Sequence, residues 1–103
     1  MEALFEKRFV KALVKHSGIK KQVEQKVRMI MEHPVMLGEP LKGNWRGFYS
    51  CPVKKSFIII YLYCSACRKK GDDAFVACAD CGDRDDETLK FVLLGPHDEA
   101  YGV

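Results

Sequence analysis

The run Glu39–Tyr63, EPLKGNWRGFYSCPVKKSFIIIYLY, decides the fold. Its second half, Ser56 to Tyr63, is β-branched and aromatic with hardly a polar break, which fits a strand covered on both faces better than a one-sided edge. That strand belongs at the centre of a sheet. In the first half, Gly43, Trp45, Arg46, Gly47 and Tyr49 bring cation and aromatic ring together close to that centre, a mixture that suits a nucleic-acid backbone. Trp45 to Val53 reads as a second strand, interrupted or edged at Pro52, which has no amide hydrogen for a ladder.

Working outward, Leu4, Phe5, Phe9, Ala12 and Leu13 recur at steps of three and four with Lys7, Lys11 and Lys15 on the other side, so residues 3–16 predict an amphipathic helix. Ser17-Gly18 breaks it. Ile19, Val23, Val27 and Ile30 predict a second helix, stopped near His33 because Pro34 disfavours helical geometry in the residue before it. Two short-linked helices should pack antiparallel. Pro34 to Pro40 reads as a loop, and Thr88 to Leu94 as a last apolar strand ended by Gly95-Pro96. The pattern predicts an α+β fold: two N-terminal antiparallel helices on a small twisted antiparallel sheet.

At 103 residues and 48% apolar content, the chain suits one compact domain, residues 1–103. No run approaches the roughly 18 to 20 apolar residues of a membrane span, and MEALFEKRFVK lacks a secretory h-region, so a cytoplasmic protein without a membrane partner is expected. The net charge of +3 is unevenly spread: residues 1–63 hold 12 Lys/Arg against 5 Asp/Glu, and residues 64–103 hold 5 against 9. A body of that charge attracts a polyanion, although lysines on solvated helix faces give the same count.

Five cysteines in a reducing compartment point to metal or chemistry rather than disulfides. Cys64-Ser-Ala-Cys67, ten residues, then Cys78-Ala-Asp-Cys81 offer four thiolates to one tetrahedral ion, with zinc the first choice. All four positions are filled, so the metal would be structural, holding a zinc-ribbon-like insertion at 64–82 too polar to fold on a core of its own. Gly71 and Gly82 supply permissive turns. Free thiols or a redox pair are the competing reading, and an RNA contact for Arg68, Lys69 and Lys70 stays open. Cys51 is most simply a small core residue.

The segments L-K-G-N-W-R-G-F-Y-S-x-P-V, F-I-I-I-Y and L-L-G-P-H-D-E-A-Y-G, in that order, resemble the RelE/ParE toxin superfamily, and most closely its YafQ-type branch of RelE toxins. The resemblance covers nearly all of the chain outside the cysteine loop. That family opens with a strand before its first helix, and too few residues precede Phe5 here for a full one. The resemblance implies the toxin of a type II toxin–antitoxin pair: a ribosome-dependent mRNA endonuclease that cleaves mRNA by ribose 2′-hydroxyl attack and is held by a cognate antitoxin. Such plasmid-stabilisation toxins need a base, an acid and cations for the phosphate.

Carried over by position, the final histidine of the branch is His97, followed by the aromatic Tyr101, and the cation between Trp45 and Gly47 is Arg46, whose guanidinium suits a phosphate. Three positions differ. A histidine before the Pro-Leu pair is Glu39, a second on the next strand is Pro52, and an aspartate before the central strand is Ser56. Proline neither ionises nor donates, whereas Glu39 still offers a carboxylate as a base. The catalytic candidates are therefore His97, Arg46, Tyr101 and Glu39, and the RNA-binding candidates are Lys42, Trp45, Lys54 and Lys55. Structural alternatives stand beside them: His97 capping local backbone, Trp45 packing on the helices, and His16 and His33 as helix-end cations. Two other functions compete with mRNA cleavage: a ParE-like gyrase inhibitor, and a non-catalytic RNA- or protein-binding relative with a structural zinc loop.

Overall fold

A computed structural model describes residues 2–54, 57–71 and 87–96. In chain order these form β1 (Glu2–Phe5), α1 (Lys7–Lys15), α2 (Lys20–Glu32), β2 (Glu39–Pro40), β3 (Tyr49–Lys54), β4 (Phe57–Tyr63), α3 (Cys64–Lys69) and β5 (Thr88–Pro96), with 3₁₀ turns at Ser17–Ile19 and Gly43–Trp45. The strands make one sheet in the order β1-β5-β4-β3-β2, with β1 parallel to β5 and the other pairs antiparallel.

One register row explains how the sheet holds together. Phe5, Phe91, Tyr61, Tyr49 and Pro40 pair in turn across all five strands. Their rings follow the row: Phe5 stacks on Phe91 at 5.1 Å, Phe91 tilts against Tyr61 at 6.1 Å, and Tyr61 stacks on Tyr49 at 5.6 Å. Aromatic pairs at such spacing add to the burial that brings them together. Phe9 of α1 tilts onto both Phe5 and Phe91 from above. This side, with Val23, Val27 and Ile30 of α2, Cys51, Ile59 and Leu89, is the hydrophobic core.

The central strand behaves as its sequence predicts. Ile59, Ile60, Tyr61 and Leu62 are consecutive and all buried, so β4 is covered on both faces. Pro52 sits within β3 where β3 is an edge, because β2 ends with Glu39 opposite Ser50. The β3–β4 register shifts between Pro52 and Lys54, a bulge beside the residue that cannot donate.

The structure corrects five expectations. The helix over 3–16 is split: Glu2–Phe5 is a strand, tied to β5 by the Glu2 N–H to Glu87 O and Glu6 N–H to Phe91 O bonds, both 3.0 Å. Stacking of Phe5 on Phe91 overrides the local helical periodicity. The sheet is consequently mixed rather than antiparallel. The two helices do not lead the chain as a closely packed pair, since α1 lies chiefly on β5, α2 contacts β3, and an apolar groove runs between them. Finally, residues 64–69 continue straight from β4 into a short helix instead of a ribbon-like loop, and the strand expected from Trp45 begins at Tyr49.

Candidate functional site

Residues alternate across a strand, so with Tyr49 and Cys51 in the helix-side core, Ser50 and Pro52 face the opposite side of the sheet. Glu39 pairs with Ser50 and shares that face, exposed at the sheet edge. Pro52 pairs with Ile58, which pairs with Gly95; Lys54 pairs with Phe57, which pairs with Pro96. The chain therefore leaves β5 in the row of Lys54, three positions along β4 from the row that holds Ser50 and Glu39. His97 and Tyr101 follow Pro96 in sequence; they lie outside the described residues, as do Lys55 and Ser56.

The remaining candidates occupy the other end of β3. The Leu41 N–H to Phe48 O bond of 2.9 Å closes the β2–β3 connection, and residues 42–47 form a compact turn pinned by Trp45 N–H to Lys42 O, Arg46 N–H to Gly43 O and Phe48 N–H to Trp45 O. Gly43 and Gly47 take φ of 65° and 97°, which a side-chain-bearing residue rarely adopts. Trp45 meets Phe48 edge-on at 5.5 Å, a contact within the turn itself. Lys42 and Arg46 are exposed there, whereas Lys54 is exposed five residues from Tyr49, roughly 17 Å along the strand at about 3.4 Å per residue. The structure thus groups Lys42, Trp45 and Arg46 on one turn, places Glu39 beside it, and puts Lys54 at the end where β5 finishes.

Cys64 and Cys67 lie one turn apart on α3, so their thiols share a face. Both are buried, at 3% and 5% exposure, and neither is in a disulfide. Two thiols so placed match half of a tetrahedral thiolate site. Cys78 and Cys81 lie outside the described residues, and among the described residues no group of three or more ligating side chains comes together. Cys51 belongs to the core on β3, where burial pushes its thiol pKa up despite the opposing charge of Lys26. That is the environment of an inert thiol.

The end of α3 carries a contact that sequence reasoning missed. Lys70 Nζ donates to Tyr49 Oη at 3.1 Å and lies 5.3 Å from the centre of that ring. Gly71 follows with φ of 74°, ending the helix. Around this contact is a cleft of about 520 Å³, with walls that include Val35, Met36, Tyr49, Tyr63 and Ala66 and a rim that includes Glu32, His33, Lys69 and Lys70. No local motif announces it, because its parts come from three separated segments. Between α1 and α2, Phe5, Phe9, Val10, Leu13, Val23 and Val27, with Glu24 and Arg28, line a mainly apolar groove of about 400 Å³. His16, at the end of α1, meets Phe57 edge-on at 4.9 Å.

Solved structures resemble the chain over nearly its whole length. YafQ from E. coli is similar with a TM-score of 0.66 at 16% identity, covering 98% of each chain. In the E. coli DinJ–YafQ complex the likeness has a TM-score of 0.63 at 17% identity, again over 98% of each chain. A metal-bound toxin from Helicobacter pylori is similar with a TM-score of 0.61 at 24% identity, over 96% of this chain and 97% of that one. No protein-family profile matches the sequence, and no curated relative does. At these identities the likeness establishes the fold, which is that of the RelE/ParE toxins.

Proposed function

We propose that this chain is the toxin of a type II toxin–antitoxin pair and cleaves mRNA on the translating ribosome in the cytoplasm. The observation that carries the reading is the match to YafQ over 98% of both chains, with Glu39 on the face of the sheet away from the helices, the Arg46 turn at one end of β3 and the end of β5 at the other. In the proposed step the ribose 2′-oxygen bonds to the adjacent phosphorus as the bond to the 5′-oxygen breaks. Glu39 takes the 2′-hydroxyl proton and His97 gives one to the leaving oxygen, with a 2′,3′-cyclic phosphate as product. Lys54, Lys55 and Tyr101 act near the scissile phosphate. Arg46 and Lys42, at the other end of β3, hold the RNA backbone further along its path.

The antitoxin is an acidic polypeptide with an apolar segment. The α1–α2 groove suits it: Val10 and Phe5 are 45% and 47% exposed, and α1 carries Lys7, Arg8, Lys11 and Lys15 with no acidic residue. Zinc, held by Cys64, Cys67, Cys78 and Cys81, joins α3 to the following segment and supplies no chemistry to the cleavage. Support for it comes from the two buried thiols on one face of α3.

Pro52 favours a second reading. It stands exposed on the face where the proton-transfer residue of the YafQ-type pattern would be, and it transfers none. On that reading the chain binds RNA or protein without cutting. Induction in bacteria separates the two: growth arrest with mRNA cut at codons in translated frames supports the nuclease, whereas RNA binding with neither arrest nor cleavage supports the binding module. Gyrase inhibition without RNA cleavage would favour the ParE-like alternative.

A further inference from the structure

We propose that the cleft between the end of α2 and α3 binds a nucleotide, with the base against Tyr63 and the phosphate on Lys69 and Lys70. It lies on the helix side of the sheet, away from Glu39 and Pro52, and the inference stands on its own chemistry rather than on the nuclease reading. A volume of about 520 Å³ falls in the range of small-molecule sites, which are mostly apolar with a few placed polar groups. This cleft has that composition.

Each part of a nucleotide has a counterpart. Tyr63 is half-buried on the helix side of β4, diagonal to Tyr49 across the β3–β4 ladder, and presents aromatic surface to a base, which stacks on such rings regardless of sequence. Lys70 is held in place, its ammonium donating to Tyr49 Oη and lying over the Tyr49 ring, so little freedom is lost when a phosphate arrives. Lys69 is exposed beside it and adds a second cation. Across the cleft, Glu32 accepts from ribose hydroxyls or a base amino group, and His33 donates. An apolar ligand would leave both lysines unused, and a simple anion would leave the aromatic wall unused.

The chemistry is shared by a free mononucleotide and a nucleotide within RNA. Titration of the isotope-labelled chain with 5′-AMP, adenosine and a four-nucleotide RNA, followed by amide NMR shifts, tests it. The expected result is that 5′-AMP shifts His33, Tyr63, Lys69 and Lys70, that adenosine binds at least about tenfold more weakly, and that Lys69→Ala and Tyr63→Leu each weaken 5′-AMP by about tenfold. Lys11→Ala, on α1, should leave the affinity unchanged. Stronger binding of the RNA than of 5′-AMP would assign the cleft to RNA, and the reverse to a free nucleotide. Absence of shifts at these four residues at millimolar 5′-AMP overturns the proposal, as does equal weakening by Lys11→Ala. Lys69 is exposed and holds no part of the core, so Lys69→Ala tests the site even if Tyr63→Leu fails to fold. Ribosomal cleavage plays no part in the measurement, so a failed nuclease reading leaves it intact.

Discussion

The Tyr61 hydroxyl donates to the Pro34 carbonyl at 2.6 Å, tying the middle of the central strand to the residue that stops α2. The two are 27 residues apart in sequence. Tyr61 is completely buried, so this bond satisfies a hydroxyl that would otherwise be stranded in the core. Tyr61→Phe should keep the aromatic row and cost about 1 kcal/mol, measured by urea unfolding.

The same hydroxyl gives a pH signature. Burial pushes the Tyr61 pKa well above its ordinary value, helped by Cys51 and Tyr49 and opposed by a backbone hydrogen bond from Gly38. A raised folded pKa means the contribution to stability is complete below the unfolded pKa of about 10 and is lost as pH rises beyond it. Unfolding free energy should therefore decline above about pH 10, and the decline should be smaller in Tyr61→Phe.

Gly38 is fixed by the same contact. A methyl group at this position would run into the Tyr61 hydroxyl and come within 3.1 Å of Tyr49 Cβ. Both neighbours are locked in the aromatic row, so they cannot move aside. Gly38→Ala should destabilise by about 1 to 3 kcal/mol in thermal or urea unfolding. A neutral result would mean that the 34–38 segment rearranges freely.

Purified without chelator, the chain should hold about one zinc. Cys64→Ser or Cys67→Ser should bring metal content close to zero and lower the melting temperature, while Cys51→Ala should leave the metal in place. Zinc unchanged in Cys64→Ser would exclude α3 from the site.

For the nuclease, His97→Ala should reduce cleavage of translated mRNA by about 10² to 10⁴ while leaving the fold intact by circular dichroism. Arg46→Ala should weaken RNA binding with a shallower salt dependence and less effect on the chemical step. Full toxicity of His97→Ala would place the acid elsewhere. Val10→Asp, in the α1–α2 groove, should release the antitoxin in co-expression while leaving toxicity in place.

Much of the fold could be read from residue pattern. The β4 strand announced itself because seven β-branched, aromatic or otherwise apolar residues in a row have few other uses, and α2 because Val23, Val27, Ile30 and Pro34 mark both its face and its end. β1 was hidden for a physical reason. Leu4, Phe5 and Phe9 fit helical spacing, and only the distant Phe91 makes Phe5 a strand residue. Lys70 was equally opaque, since its partner Tyr49 is 21 residues away and neither carries a motif. The catalytic candidates came from resemblance, and the register then showed that Arg46 and the end of β5 stand at opposite ends of β3.

The parallel pairing of β1 with β5 bears on when the protein can become itself. Glu2 aligns with Thr88 and Phe5 with Phe91, so β1 has no place to dock until β5, more than eighty residues later, exists. Closing a loop of that length is the slow kind of contact formation. A nascent chain stopped before residue 88 holds both helices and the β3–β4 hairpin but neither the slot for Phe5 nor the floor beneath Phe9. Assembly of the sheet thus waits for β5, and a fragment that stops before it lacks Leu89, Phe91 and Leu94 of the core.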